Sequence, residues 1–287
     1  MEDKAENITI TIIGAGGTMG FRLLNNLINK KYNILLCEKS QQGIEKIKEK
    51  GLMVVDQESA IPKSDFIVMA VPDAKIGGVS KEIIPVMKKN ATMIVLDAAA
   101  AYAGEIFLRN DCTFIVTHPC HPALFDERET PEEREDLFGG VSAKQNIVIA
   151  LLRGKEDNFI KAKEICKNMF APVKNVYRIT VEQMAILEPV AAEVVGATCI
   201  SVLKESLNEA IKCGVPKEAA TAFMFGHINV ALAIVFKSIS TFTEACDRAI
   251  EYGYEKVFKE NWKDVFKKEV TKEVVQRMLH PSKNKNK

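Results

Sequence analysis

A glycine-rich turn between a β-branched run and a helical segment is the feature that most constrains this chain. The run Ile8–Ile13 is typical of a buried strand, and Phe21–Ile28 has helical spacing. Between them lies Gly14-Ala15-Gly16-Gly17-Thr18-Met19-Gly20. Gly14 permits a tight turn, Gly16 lets the backbone approach a pyrophosphate, and the following helix N-terminus offers free N–H groups. A glycine turn without a ligand is the alternative, and the strand–loop–helix context favours dinucleotide binding.

The residue after the second strand indicates which dinucleotide binds. Glu38 directly follows the short apolar run Ile34–Cys37. A carboxylate there accepts hydrogen bonds from the adenosine ribose hydroxyls and repels a 2′-phosphate. The sequence therefore favours NAD over NADP, although Lys39 and Ser40 could weaken that preference.

Short strands alternate with helices through the first 179 residues, and this order predicts an α/β fold. The chain should form a Rossmann-type, doubly wound, mostly parallel sheet with helices on both faces. From Thr180 onward only helical periods are found. We therefore predict an NAD-binding domain over 1–179 and an all-helical substrate and dimerisation domain over 180–287. The further predicted strands are Phe66–Val71, Met93–Leu96, Phe114–Thr117, Asn146–Leu152 and Pro172–Tyr177.

The helical half contains three local signals. Thr180 and Gln183 have capping-box spacing, so a helix is expected to start there and to run to Cys213. The segment Pro216–Val235 is apolar almost all round, which predicts burial in the domain or at a subunit interface. Thr241 with Glu244 gives another capping signal.

Composition excludes several classes of protein. The chain has 39 basic and 38 acidic residues, so its net charge of +1 gives no reason to expect a nucleic-acid partner. No apolar run reaches the roughly 18 residues that a membrane span needs. The polar start Met1–Asn7 is unlike a signal peptide, and the basic tail after His280 is expected to be disordered. Seven scattered cysteines fit reduced thiols in a cytoplasm.

Two segments after predicted strands add candidate site residues. Pro72 and Asp73 follow Phe66–Val71, and ligands bind beyond the carboxyl ends of strands in such sheets; Asp73 is equally well explained as a helix N-cap. The sequence Thr117-His118-Pro119-Cys120-His121-Pro122 follows another strand. Its two histidines suit metal ligation or proton transfer, whereas a rigid structural loop is the alternative. Cys120 has no evident base, so we do not assign it as a nucleophile.

An acidic residue beside a proline is the strongest candidate in the helical half. Glu188-Pro189 lies on an otherwise apolar segment, where a buried carboxylate needs a metal or an imidazole as partner. Glu193 ranks second. Lys204 and Asn208, one turn apart, have the arrangement of the catalytic pair of hydroxyacid dehydrogenases and form the competing candidate. A role for His227 stays open.

With these residues in hand, the chain resembles the D-apionate oxidoisomerase family, within the 6-phosphogluconate dehydrogenase and ketol-acid reductoisomerase superfamily. The glycine loop is shared by many families: Met19 replaces its usual third glycine, giving a G-x-G-x-x-M-G form. The His-Pro-Cys-His-Pro sequence is far more specific. The stretches that carry the resemblance are Gly14–Gly20, Asp97-Ala98-Ala99-Ala100, Thr117–Pro122, Leu187-Glu188-Pro189 and Gly226–Phe236.

The resemblance implies NAD-coupled oxidation of a branched sugar acid, with migration of a carbon substituent to give a 3-oxo acid. A zinc, manganese or magnesium ion held by His118 and Glu188 would bind substrate oxygens. His121 or a bound water would move the proton, and Asp97 would position cofactor or substrate. The rivals are a metal-free dehydrogenase using Lys204 and a non-catalytic NAD sensor. A cytoplasmic homodimer is expected.

Overall fold

One seven-stranded sheet organises the first part of the molecule. The computed structural model describes residues 8–280; the polar start Met1–Asn7 and the basic tail after His280, about which the sequence makes predictions, lie outside the described residues. The strand order is β2-β1-β3-β4-β5-β6-β7, and all neighbours are parallel except the antiparallel pair β5 and β6. The strands are β1 Thr9–Ile13, β2 Asn33–Cys37, β3 Phe66–Met69, β4 Thr92–Val95, β5 Thr113–Pro119, β6 Gln145–Arg153 and β7 Val173–Arg178.

Helices cover both faces of the sheet, as the strand–helix alternation predicts. Every residue of β3 and β4 is buried, because parallel strands in the middle of such a sheet are covered on both sides. Each face has its own core cluster, one containing Phe114 and the other Leu24. The helices of this part are α1 Thr18–Leu27, α2 Gln41–Glu49, α3 Gln57–Ala60, α4 Asp73–Ile83, α5 Ala99–Tyr102, α6 Pro131–Glu135, α7 Glu156–Met169 and α8 Val181–Ala185.

All described elements after β7 are helical. The helix that begins with α8 continues without a break as a π-helix, Ile186–Ala197, and then as α9, Thr198–Lys212. Pro189 lies inside the π-helical stretch, where a residue without an N–H cannot make a regular α-helical hydrogen bond. The remaining helices are α10 Lys217–Lys237, α11 Glu244–Val257 and α12 Lys268–Leu279.

Of two predicted helix starts, one is confirmed and one is wrong. Thr180 forms the expected capping box with Gln183. The predicted cap at Thr241 is wrong: Thr243 caps α11, and its hydroxyl accepts the N–H of Cys246. Glu244 lies three residues after Thr241, whereas Cys246 holds that place after Thr243, so the capping-box spacing favoured the wrong threonine.

Residue contacts divide the chain into two compact units. The first runs to Leu187 and includes the chain again from Lys272; the second is Glu188–Thr271. The last strand ends at Arg178, next to the expected boundary near residue 179. However, α8 packs on the sheet side, and the α12 residues Val275 and Leu279 are buried in a core cluster of the first unit.

Two helical stretches are long and apolar enough to cross a membrane by length and composition. They are Val181–Lys212 and Lys217–Lys237, with hydropathies of 1.7 and 1.8, and little of either window is buried. The sequence analysis, which looked for long apolar runs, did not find these helices because isolated polar residues interrupt the apolar segments. Length and composition are weak criteria here, since an interface helix of a soluble protein meets them too.

Candidate active site

The glycine loop has the backbone conformation that the sequence predicts for it. Gly14 has a φ of +78°, and a Cβ there would lie 2.4 Å from the Ala70 carbonyl oxygen, so only glycine fits. The N–H groups of Gly14 and Ala15 donate to the Cys37 carbonyl. Gly17 is the N-cap of α1 and brings no side chain to the helix end. The α1 N-terminus thus begins without a side-chain cap, and helix N-termini of this kind can bind phosphate groups.

Glu38 lies beside this loop and contacts its backbone. One carboxylate oxygen accepts the Gly16 N–H at 2.9 Å, and the other accepts the N–H groups of Lys39 and Ser40 at 2.8 Å. Partial burial opposes ionisation, but hydrogen bonds from Ser40, Gly16 and Lys39 outweigh it and hold the pKa of Glu38 below its ordinary value. Glu38 is thus an ionised carboxylate at the end of β2.

A cavity of about 340 Å³ opens next to Glu38, within the size range of small-ligand sites. Gly14, Glu38, Asp56 and Val71 are among the residues that line it. The sequence left open whether Asp73 is the N-cap of the next helix, and the structure shows that it is not. Pro72 holds that position, and Asp73 is the first residue of α4.

A second group of polar residues lies at the ends of β4 and β5. Asp97 follows β4 and is 6% exposed, and its Oδ1 accepts the Ala99 N–H at 2.6 Å. His118 lies near the end of β5, the neighbouring parallel strand. Because both strands end at the same edge of the sheet, these two side chains converge.

The His118 ring is held in one protonation form. Its Nδ1 lies 2.9 Å from the Leu96 carbonyl oxygen, which can only accept, so Nδ1 carries the proton and Nε2 the lone pair. Burial lowers the pKa of His118 more than the Leu96 hydrogen bond and nearby Asp97 raise it. A neutral imidazole whose Nδ1–H is bound to a carbonyl is the usual form of a metal-ligating histidine.

Glu188 joins this group from the helix that begins with α8. It lies three residues beyond α8 on the same unbroken helix, so α8 sets its position. Ligand atoms of Asp97, His118 and Glu188 all lie within 4.8 Å of one another. Sequence reasoning named His118 and Glu188 as a candidate metal pair and gave Asp97 a positioning role, without grouping it with them as a candidate ligand. Its place at the carboxyl end of the strand next to His118 is the signal that points to it.

His121 lies beside this triad. The His118 and His121 ring centroids are 6.2 Å apart, with the rings edge to face. Nδ1 of His121 lies 2.8 Å from the Phe138 carbonyl oxygen, which can only accept, so the tautomer of the neutral ring that fits this contact has its proton on Nδ1. Burial raises the pKa of the neighbouring Cys120 thiol, which agrees with its not being assigned as a nucleophile.

The remaining candidates lie on helices of the second unit. Lys204 and Asn208 are exposed and one turn apart on α9. Glu193 lies on the π-helical stretch. His227 stacks on Phe223 with a centroid distance of 3.8 Å, and its Nδ1 bonds the Phe223 carbonyl within α10. This is the arrangement of a structural helix histidine.

A dinucleotide loop and a carboxylate–imidazole cluster along one edge of a parallel sheet define a dinucleotide-dependent oxidoreductase. Residues 126–279 match the family described as phosphogluconate dehydrogenase (decarboxylating), C-terminal, and residues 9–101 match that described as NADP oxidoreductase, coenzyme F420-dependent. The chain is 44% identical to a D-apionate oxidoisomerase of Blautia hydrogenotrophica, over 96% of this chain and 98% of that one. The chain belongs to the D-apionate oxidoisomerase family, and it is an enzyme.

Two further relatives agree with this assignment. A D-apionate oxidoisomerase of Pectobacterium atrosepticum is 41% identical over 96% of this chain and 97% of its own. A crystal structure from Cupriavidus necator, described as a semialdehyde dehydrogenase NAD-binding protein in complex with calcium and NAD, superposes with a TM-score of 0.91. It is 40% identical and covers 94% of this chain and 99% of that one.

Proposed function

We propose that this enzyme oxidises D-apionate with NAD and rearranges its carbon skeleton to a 3-oxo-isoapionate type of acid. The single observation that carries the proposal is the Asp97, His118 and Glu188 cluster at the strand ends, in a chain of this family. That cluster distinguishes the chain from a bare nucleotide-binding fold, which needs no such group.

The chemistry balances in two stages. In the first, a carbinol carbon loses a hydride and its hydroxyl loses a proton, which gives a ketone. In the second, a neighbouring tertiary hydroxyl loses its proton and becomes the new carbonyl. A carbon substituent then migrates with its bonding pair to the old carbonyl carbon, whose oxygen takes up a proton. The second stage involves no net oxidation, so one NAD is reduced per turnover.

The glycine loop and Glu38 would hold the dinucleotide. NAD supplies the hydride acceptor. The α1 N-terminus would bind its pyrophosphate, and the Glu38 carboxylate would accept hydrogen bonds from ribose hydroxyls. Pro72 and Asp73 follow β3 and would lie towards the nicotinamide end. The NAD complex of the Cupriavidus relative supports this assignment.

The residues of the cluster fit a divalent metal. Two carboxylates and a neutral imidazole are suitable ligands for zinc, manganese or magnesium, and the relative crystallised with calcium supports a divalent cation. When bound, such an ion supplies Lewis-acid stabilisation of substrate oxygens. His118 would ligate through Nε2, because its Nδ1–H is committed to Leu96. Asp97 and Glu188 would neutralise the charge of the ion.

His121 would move protons during both stages. Its Nε2 lone pair can accept the hydroxyl proton, and the resulting imidazolium can return a proton to oxygen after the substituent migrates. Its ring contact with His118 supports a role next to the proposed substrate-binding metal.

A metal-free dehydrogenase using Lys204 and Asn208 is the second candidate, and the phosphogluconate dehydrogenase C-terminal match favours it. Lys204→Ala and Glu188→Ala distinguish the two. The cluster mechanism predicts that turnover falls far more for Glu188→Ala, whereas the rival predicts the reverse.

The test is NADH formation from D-apionate by the purified enzyme with NAD and magnesium, followed by NMR analysis of the product carbon skeleton. We expect NADH to form, the skeleton to be rearranged, and EDTA to abolish turnover until a divalent metal is added back. Oxidation without rearrangement would mean that the enzyme is a simple dehydrogenase. An EDTA-insensitive reaction would remove the metal from the proposal.

We further propose a soluble, cytoplasmic enzyme that acts as a homodimer. The exposed apolar surface of α10 supports the dimer, and the reduced cysteines fit the compartment.

A further inference from the structure

The backbone of His121 has an unusual conformation. Its φ is +58°, in the left-handed region that non-glycine residues rarely adopt, and Pro122 follows it. Such a conformation persists where surrounding contacts impose it, and these cluster at functional sites. Contacts around His121 are therefore expected to hold this conformation.

The surface loop after α6 supplies the contact to the imidazole. The Phe138 carbonyl accepts the Nδ1–H of His121 at 2.8 Å, and the Phe138 ring meets the imidazole edge to face with centroids 5.9 Å apart. The loop also passes close to Pro122, because a Cβ on Gly139 would lie 2.9 Å from the Pro122 Cδ. A shift of this loop would therefore move the hydrogen-bond partner of His121.

One carboxylate closes that loop. Oδ2 of Asp136 accepts three successive backbone N–H groups, those of Val141, Ser142 and Ala143, at 3.1, 2.9 and 3.0 Å. Desolvation opposes ionisation, but these three bonds keep the pKa of Asp136 below its ordinary value. Gly139 and Gly140, with φ of +72° and +83°, make the turn between the carboxylate and its donors.

Side chains of helix α1 also contact this turn. Arg22 donates to the Gly139 carbonyl at 3.4 Å, and its guanidinium lies 5.0 Å from the Phe138 ring centroid. Asn26 donates to the Gly140 carbonyl at 3.0 Å. Since α1 begins at the glycine loop, the partner of His121 is anchored to the same helix that would bind the dinucleotide.

We propose that Asp136 is a positioning residue for His121: by closing the loop 136–143 it holds the Phe138 carbonyl against Nδ1–H and so keeps the lone pair on Nε2. The inference rests on the proposed function in one respect, namely that His121 moves the proton. Without Asp136 the imidazole can exchange tautomers and rotate, and only a fraction of molecules present Nε2 as the acceptor.

The experiment compares Asp136→Ala and Asp136→Asn with the control Glu135→Ala, at an exposed neighbouring position. Nitrogen-15 NMR of the imidazoles reports the tautomer, and the chain has four histidines, so His121→Gln assigns the signal. The spectra are recorded with NAD and magnesium, without substrate. Steady-state rates with D-apionate and thermal unfolding are measured on the same variants.

We expect the wild-type and Glu135→Ala proteins to show His121 protonated on Nδ1. Asp136→Ala should show mixed tautomers and a kcat about 10- to 100-fold lower, as for other lost orienting contacts, with the affinity for NAD unchanged. Asp136→Asn, which keeps one accepting oxygen, should retain most of the tautomer bias and rate. If Asp136→Ala does not fold, Gly140→Ala takes its place, because a Cβ there meets nothing closer than 3.5 Å and still strains the turn.

An unchanged His121 tautomer in a folded variant would overturn the proposal. So would a rate loss that follows thermal stability or NAD affinity, since that is a general structural effect. If the wild-type enzyme shows the single tautomer but does not turn over D-apionate, the proposed function fails, and the tautomer comparison still decides whether Asp136 positions the ring.

Discussion

The two histidines of the candidate site carry their protons on the same ring nitrogen for the same reason. Each Nδ1 faces a backbone carbonyl, Leu96 for His118 and Phe138 for His121, and a carbonyl can only accept. Backbone carbonyls thus determine that Nδ1 of each ring carries a proton. The sequence showed that the two rings were close together, but it could not show their tautomers, because the carbonyls come from residues 22 and 17 positions away.

Removal of one carboxylate tests the metal cluster at the residue scale. Glu188→Gln keeps the size of the side chain and removes its charge, so metal affinity and turnover should fall by more than about 100-fold, the upper range for outer-shell partners. The measurements are metal titration by calorimetry and kcat with D-apionate. Glu182→Gln, on the exposed side of the same helix, is the matched control and should behave as wild type. Equal behaviour of the two variants would exclude Glu188 as a ligand.

The charge of Glu38 is expected to determine cofactor choice. Glu38→Gln removes the charge that would bind the ribose and repel a 2′-phosphate. Charged hydrogen bonds contribute about 1.5–3 kcal/mol, so KM for NAD should rise roughly 10- to 100-fold while use of NADP improves. Steady-state kinetics with both cofactors measure the change, and the exposed Glu49→Gln on α2 is the control. A wild-type enzyme that prefers NADP would contradict the assignment.

Helix packing at the glycine loop depends on contacts between glycines. A Cβ on Gly16 would lie 2.3 Å from the Cα of Gly43, so α2 packs directly on the loop backbone. The sequence explained Gly16 by the approach of a phosphate and missed this helix contact, because Gly43 looks like an ordinary exposed-helix glycine in the sequence. The same limit applies to the cap of α11, where the capping-box spacing favoured Thr241 and the structure uses Thr243. Local patterns locate elements well but do not say which element packs on which.

Two glycine substitutions test this contact at the element scale. Gly16→Ala forces α2 and the loop apart, and such overpacking costs about 1–3 kcal/mol, with weaker NAD binding. Gly78→Ala in α4 is the matched control: a Cβ there meets nothing within 4 Å, and alanine in a helix should stabilise by about 1 kcal/mol. Thermal unfolding and NAD titration report both. A Gly16→Ala protein as stable as the Gly78→Ala protein would mean that the contact does not constrain α2.

At the scale of the whole molecule, the sequence predicts all seven strands and the change to helices after β7. What it could not predict is where the last helix packs. The α12 residues Val275 and Leu279 are buried in a core cluster of the first unit, although the sequence assigned the helix to the second. An amphipathic helix has the same periodicity whichever unit it packs on. Only tertiary contacts therefore determine the unit to which α12 belongs.

Helix α10 has an apolar surface that the chain itself leaves exposed. A helix that is hydrophobic all round is normally covered, yet only Ala220 of α10 is fully buried within the chain. Phe225 and Phe236 are 65% and 71% exposed. Several large apolar side chains exposed on one helix indicate an interaction surface, whereas single ones do not. We expect a second copy to cover this surface through a twofold interface, which is the commonest way in which soluble chains associate.

Phe225→Glu should therefore weaken dimerisation without unfolding the chain. Loss of a central aromatic anchor costs about 2 kcal/mol or more, or roughly a 30-fold weaker dimer. Light scattering coupled to size-exclusion chromatography over a dilution series measures the change, and Gln276→Glu adds the same charge at an exposed position of α12 as the control. A wild-type chain that is monomeric in buffer would contradict the dimer. A chain that stays in solution only with detergent would instead mean that lipid covers α10.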